Sequence, residues 1–248
     1  MLPLLLILSC APASKVDLSP EVWRQKLTAA RSGEHDAWLK RLGLDPVTNA
    51  QWDAPVLERV EVLPAKLSGA KEPELFVVAR FTAKLVGRDP EMMLSDEVRL
   101  VRAQVLQRDG KGWCAVSSSL SADVIVEEPN AGPADGMKNT SQPPTFSLVN
   151  FSSASRKTIA VHRSFDNFSR ASARGENVEW WDLIDGNLVQ VAAAKKQSAD
   201  CGPCDVRYTR NWFELKGPPP VRVKQFTLEC DDAAEKHCRP VEVTETAR

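Results

Sequence analysis

The stretch Leu75-Phe76-Val77-Val78-Ala79 is apolar at every position, with an aromatic and two β-branched residues at its centre. A strand with one face in water alternates apolar and polar residues, because successive side chains point to opposite faces of a sheet. A run without alternation therefore predicts a central strand that is covered on both faces. The stretch predicts a β core with further structure packed on each side of it.

The residues around this stretch predict three more strands in the first half of the chain. The predicted strands are 58–63, 75–83, 98–106 and 113–117, which are rich in Val, Leu and Phe. Gly, Asp and Pro residues between them, at 68–69, 87–90 and 109–112, are typical of turns. Short strands joined by such turns favour antiparallel pairing.

The second half of the chain has the same pattern of short apolar runs. Its predicted strands are 145–149, 158–162, 178–184, 188–192, 206–215, 221–228 and 241–244. Asp185-Gly186 lies between two of them and predicts a type I′ hairpin turn, because that turn needs positive φ at both central residues.

Residues 19–44 predict a helical hairpin in front of the β region. Ser19-Pro20 is typical of a helix start, and Gly43 followed by apolar Leu44 is typical of a left-handed helix end. The predicted fold class is therefore mainly β (α+β): a helical hairpin followed by antiparallel sheet units, with a sandwich-like or partial-propeller-like arrangement.

Residues 127–144 divide the β region into two predicted units, 57–126 and 145–248. The segment holds four prolines and two glycines and almost nothing apolar, so it cannot bury enough surface to fold by itself. It is either a linker between two units or a long surface loop within one domain.

The N-terminus begins with an apolar run, Leu2 to Leu8, that is much shorter than the ~20 residues needed to span a bilayer. Ile7-Leu8-Ser9-Cys10 resembles the lipobox of bacterial lipoprotein precursors. The resemblance implies a signal peptide over 1–9, a lipid on Cys10 and a tether over 10–18. It also implies a chain anchored in the bacterial cell envelope, and Ala11 resembles lipoproteins that move on to the outer membrane.

An ordinary signal peptide is the alternative interpretation of this segment. Cleavage after Ala11-Pro12-Ala13, an A-x-A-like site, would discard Cys10 and release the domain from the membrane.

The overall charge favours neither nucleic acid nor anionic lipid as a partner. The formal net charge is -1, and no basic cluster stands out along the chain. The expected partners are the membrane, through the lipid on Cys10, and another envelope protein or a polysaccharide. We expect no nucleic-acid partner.

Five cysteines follow Cys10, an odd number for an oxidising compartment. Cys114 lies in an apolar strand, so we expect it to be unpaired and buried. If residues 217–220 form a turn that places Lys216 opposite Val221, the other four cysteines gather at one end of a three-stranded meander. We expect Cys201, Cys204, Cys230 and Cys238 to form two disulfides. All three ways of pairing these cysteines stay open. We favour the pairing of Cys201 with Cys204 and of Cys230 with Cys238, because both bridges are local.

Two other chemistries fit the same cysteines. Cys201-Gly-Pro-Cys204 resembles the redox site of thioredoxin, although Asp200 stands where that family has Trp. The four cysteines, or three of them with His237 in place of the fourth, also fit the ligand set of a structural zinc site.

Sequence motifs of catalysis are absent from the chain. It contains no H-E-x-x-H, no G-x-S-x-G and no phosphate-binding glycine loop, and it has only three histidines. We therefore expect a non-enzymatic envelope lipoprotein that binds or scaffolds another component, without a cofactor. A periplasmic hydrolase without a local motif is the first alternative, and a thiol-redox or zinc module is the second.

Overall fold

The computed structural model describes residues 39–40, 42–45, 53–84, 86, 97–109, 112–125, 138–139, 143–168, 172–200, 208–230 and 237–246. Within them the chain forms twelve strands in two antiparallel sheets. The predicted mainly β class is therefore confirmed. Among these residues no helix is long and apolar enough to cross a membrane.

The first sheet has four strands in chain order, each joined to the next. They are β1 (Val56–Ala65), β2 (Glu74–Lys84), β3 (Glu97–Asp109) and β4 (Gly112–Ile125). Each contains one of the predicted strands of the first half, and the predicted runs were shorter than the observed strands. The turn residues lie between the observed strands, as predicted. The hydrogen-bonded strands extend beyond the apolar runs at their ends.

β2 is buried on both faces, as its continuous apolar run predicted. Val77 and Phe81 point into a core cluster on one face of the sheet, whereas Phe76 and Val78 point into a second cluster on the other face. All four are 2% exposed or less. The strand therefore separates two hydrophobic layers.

The first layer is covered by the end of a helical segment. Gly43 has φ +67°, the Leu44 amide donates to the Leu39 carbonyl at 2.8 Å, and the Gly43 amide donates to the Lys40 carbonyl at 3.1 Å. These bonds and the left-handed glycine have the pattern of a Schellman motif, which commonly ends a helix. The described residues contain no complete helix, so the predicted helical hairpin stays a prediction. Leu39, Leu42 and Leu44 are buried against β2 and β3. The rest of the predicted hairpin, over 19–38, lies outside the described residues.

The second sheet has eight strands. They are β5 (Lys138–Asn139), β6 (Thr145–Val149), β7 (Thr158–Phe168), β8 (Ser172–Ile184), β9 (Asn187–Asp200), β10 (Tyr208–Lys216), β11 (Arg222–Cys230) and β12 (Arg239–Thr246). Their order is β12-β11-β10-β9-β8-β7-β5, and β6 also pairs with β7. The structure contains the seven predicted strands of this half and adds β5, which sequence patterns did not indicate.

The turn between β8 and β9 is the predicted type I′ hairpin. Asp185 has φ 49° and Gly186 has φ 76°, and Ile184 pairs with Asn187 across the turn. This prediction is confirmed.

The two sheets share a core. The second cluster combines Phe76, Val78 and Val101 from the first sheet with Ile159, Val161 and Leu183 from the second. The predicted division at 127–144 stays a prediction, because most of that segment lies outside the described residues. Lys138–Asn139 within it pair with β7.

Strands β10 to β12 form a meander that folds back over the outer face of the second sheet. β10 pairs with β9 only at Thr209, Arg210 and Asn211, and beyond that point it turns away. Phe213 and Val223 then pack with Trp180 and Phe151 in a third cluster. The rings of Phe151 and Trp180 stack with centroids 4.7 Å apart.

The register of the meander differs by one residue from the prediction. Lys216 pairs with Arg222, not with Val221, and Tyr208 pairs with Cys230. Val221 belongs to the turn, because its amide donates to the Phe151 carbonyl at 2.8 Å instead of joining the ladder. The predicted facing pair was therefore wrong, and a tertiary hydrogen bond is the reason.

Candidate functional site

The meander exposes one of its two faces. Phe213 and Val223 fill the third core cluster, so the residues that alternate with them point away from the core. We call the following residues the meander face: Arg210, Trp212, Glu214, Lys224, Phe226, Leu228, Pro240, Val243 and Glu245.

Cross-strand pairing arranges the meander face in rows. Trp212 pairs with Phe226, and Phe226 pairs with Val243, so the central row is apolar. The next row is ionic and joins Glu214, Lys224 and Glu245. Side chains directly opposite each other in an antiparallel pair are close enough to contact, so each row is a continuous strip.

Cations lie over the two aromatic rings of the central row. The Lys196 Nζ is 4.1 Å from the centre of the Trp212 ring, and the Arg210 guanidinium is 5.1 Å from it. The Lys224 Nζ is 5.0 Å from the centre of the Phe226 ring. Both rings are only half-buried. The face therefore combines aromatic surface with cations, and its aromatic residues and Arg210 are of types that are enriched at protein interfaces.

β12 is an edge strand, since within the described part of the chain it pairs with β11 alone. Its valines are exposed, Val241 by 50% and Val243 by 48%. An edge strand leaves half of its backbone donors and acceptors unpaired, which makes it able to accept another strand. The edge is continuous with the apolar row through Val243.

A pocket of about 420 Å³ lies at the tip of the meander, lined by Lys216, residues 217–220, Val221, Arg222 and Glu245. Lys216 lies 3.5 Å from Glu214, and Arg222 lies 3.7 Å from Glu245. Because each cation has a carboxylate beside it, the pocket does not select an anion by charge.

A second polar cluster lies on the outer face of β6, β7 and β8. The Ser147 Oγ is 3.3 Å from the His162 Nε2, and the His162 Nδ1 is 2.8 Å from a Glu176 carboxylate oxygen. His162 pairs directly with Thr145 and Val178, so both partners are diagonal neighbours. The three side chains thus form one hydrogen-bonded chain across three strands.

The cysteine predictions have mixed outcomes. Cys230 and Cys238 form a disulfide with an S–S distance of 2.06 Å, which confirms one of the two favoured local pairs. Cys10, Cys201 and Cys204 lie outside the described residues. A disulfide occupies the thiols of Cys230 and Cys238, so in this form neither supplies a thiolate to zinc. Among the described residues no group of three or more His, Cys, Asp or Glu side chains is placed to hold a metal.

The prediction of an unpaired Cys114 is wrong. Cys114 is disulfide-bonded, and it is buried at 6% exposure in β4. Cys230 and Cys238 bond each other, so the partner of Cys114 lies outside the described residues. The sequence led us to interpret Cys114 as a small buried hydrophobic residue, because it lies in an apolar strand. Burial does not distinguish a free thiol from a disulfide-bonded cysteine.

Sequence reasoning did not identify the meander face or the Ser147 cluster. The alternation Arg210, Trp212, Glu214 indicates that these residues share a face, but the rows depend on the register with β11. Ser147, His162 and Glu176 carry no local motif and meet only through strand pairing.

Comparison with known proteins adds no relative: no family model, no curated protein and no solved structure matches the chain.

Proposed function

We propose that the protein is a cell-envelope lipoprotein, anchored through Cys10, that binds another envelope protein along β12 and the meander face. The observation that carries the proposal is the edge of β12 that no described strand covers, whose half-exposed Val241 and Val243 adjoin the apolar row. An extended partner segment is the occupant that this geometry fits best.

Binding would proceed by strand addition. The partner's main chain pairs with the open edge of β12, which supplies affinity, and its alternate side chains contact neighbours on one face, which supplies specificity. Apolar side chains would pack beside Val243 and extend the row of Phe226 and Trp212. Basic side chains would be favoured opposite Glu242 and Glu245, because opposite charges across strands attract.

The same strand has features that limit indiscriminate pairing. Pro240 lacks an amide donor, and Glu242 and Glu245 are exposed charges. Proline and charges on an edge strand disfavour self-association, so the edge stays available to a matched partner.

Two features support an envelope location. The segment Ile7 to Cys10 resembles a lipobox. The Cys230–Cys238 disulfide is the bond type that persists in oxidising compartments.

Site-specific photo-cross-linking in a bacterial host tests the proposal. A photoreactive amino acid replaces Val243, and in a control it replaces Val189, which is 40% exposed on β9 and is not part of the meander face. We expect a discrete protein adduct from position 243 only, and the variant V241R should reduce its yield about tenfold or more, because a charge would replace an apolar contact.

Other adducts would contradict the proposal. A diffuse adduct that resists protease and is removed by periodate identifies a polysaccharide, and an adduct of twice the chain mass identifies a second copy. Equal adducts at both positions, or no adduct at position 243, would show that β12 is not the binding edge.

A further inference from the structure

We propose that Ser147, His162 and Glu176 form a hydrolytic site for carboxylic esters. Ser147 is the nucleophile, His162 the general base and Glu176 the group that orients the imidazole. The site lies on β6 to β8 and shares no residue with the meander face, so the inference is independent of the proposed binding function.

Two hydrogen bonds orient the imidazole of His162. A carboxylate only accepts, so at 2.8 Å the Nδ1 of His162 donates its proton to Glu176. In the neutral ring with the proton on Nδ1, the Nε2 carries a lone pair that can accept the hydroxyl proton of Ser147, whose Oγ is 3.3 Å away. This is the tautomer that a serine nucleophile requires, and the third group holds it in place.

The site is open to solvent on one side and is bordered by apolar side chains on the other. The His162 and Glu176 side chains are 34% and 40% exposed, so a substrate in solution reaches them. Val178, the direct cross-strand neighbour of His162, is buried in the third core cluster beside Trp180. A short apolar acyl group fits beside such a border better than a charged one.

The reaction balances without a cofactor. The Ser147 Oγ forms a bond to the ester carbonyl carbon while its proton moves to the His162 Nε2. Collapse of the tetrahedral intermediate breaks the bond to the alcohol oxygen, which takes that proton and leaves. Water then attacks the acyl-serine by the same proton route, and it releases the carboxylic acid and regenerates Ser147.

Covalent labelling with an alkyl fluorophosphonate tests the site on the full chain. We expect one adduct per chain on the peptide that contains Ser147, and loss of that adduct in S147A. The H162Q variant should slow labelling about 100-fold or more, since general-base catalysis contributes roughly 10² to 10⁴ in rate. Hydrolysis of p-nitrophenyl butyrate should fall in parallel.

Ser164 supplies the matched control, because it is exposed on the same strand and two residues from His162. S164A should label and hydrolyse as the unmodified chain does. Labelling at other serines, no labelling at all, or an unchanged rate in H162Q would overturn the proposal. E176Q provides a second measurement if H162Q unfolds: it should slow labelling while thermal unfolding stays unchanged, and equal labelling rates would exclude the orienting role.

Discussion

At the scale of single residues, Glu74 shows how one carboxylate organises a loop. Its side chain is 2% exposed and accepts the amide of Leu67 at 2.8 Å, the amide of Ser68 at 3.3 Å and the Ser68 hydroxyl. These bonds satisfy the backbone donors that follow β1. A buried carboxylate with several donors is stable only while they all remain, since a lost partner leaves a desolvated polar group.

We predict that E74A lowers the free energy of unfolding by about 3 kcal/mol, because it leaves buried amides without an acceptor. Urea denaturation of both chains measures the difference. E72A is the control, because the Glu72 side chain is 67% exposed and its carboxylate comes no closer than 3.8 Å to the Arg108 Nε. This substitution should change the free energy of unfolding by less than about 0.5 kcal/mol. Equal effects of the two substitutions would show that the loop contacts of Glu74 contribute nothing.

At the scale of secondary-structure elements, Gly43 ends a helical segment and directs Leu44 into the core. Its φ of +67° lies in the left-handed region that disfavours a side chain. An added Cβ would lie 3.0 Å from the Gln104 Nε2, so the buried amide would also have to shift.

We predict that G43A lowers the free energy of unfolding by about 1 to 2 kcal/mol, the cost of a left-handed alanine. Thermal and urea unfolding measure the change, and exposed Lys40 provides the control variant K40A, which should be neutral. A stability of G43A equal to that of the parent chain would mean that the cap relaxes to another conformation without cost.

At the scale of the whole molecule, the disulfide of Cys114 joins segments that are distant in the chain, and it bears on the proposed anchor. A lipid attached to Cys10 would use its thiol, so a lipidated chain must bond Cys114 to Cys201 or Cys204. Cys114 is bonded in the structure. The identity of its partner therefore tests the proposed lipoprotein directly.

We predict that peptide mapping of exported protein without reduction finds Cys114 linked to Cys201 or Cys204, and Cys230 linked to Cys238. Labelled palmitate should enter the chain, and C10S should abolish both the label and membrane fractionation. A Cys10–Cys114 bridge in the mature protein would exclude the anchor. Reduction should also lower the melting temperature, because each bridge contributes about 2 to 4 kcal/mol.

What the sequence determined by itself is local. Continuous or alternating apolar runs located eleven strands and Asp185-Gly186 determined a turn, because each depends on side-chain period or φ preference within a few residues. The tertiary structure alone decided the rest. The one-residue register shift at Val221 follows from a hydrogen bond to a distant loop. The Ser147 cluster and the rows of the meander face depend on which strands pair. Such contacts depend on the free energy of the whole packed chain, so a local sequence pattern does not predict them.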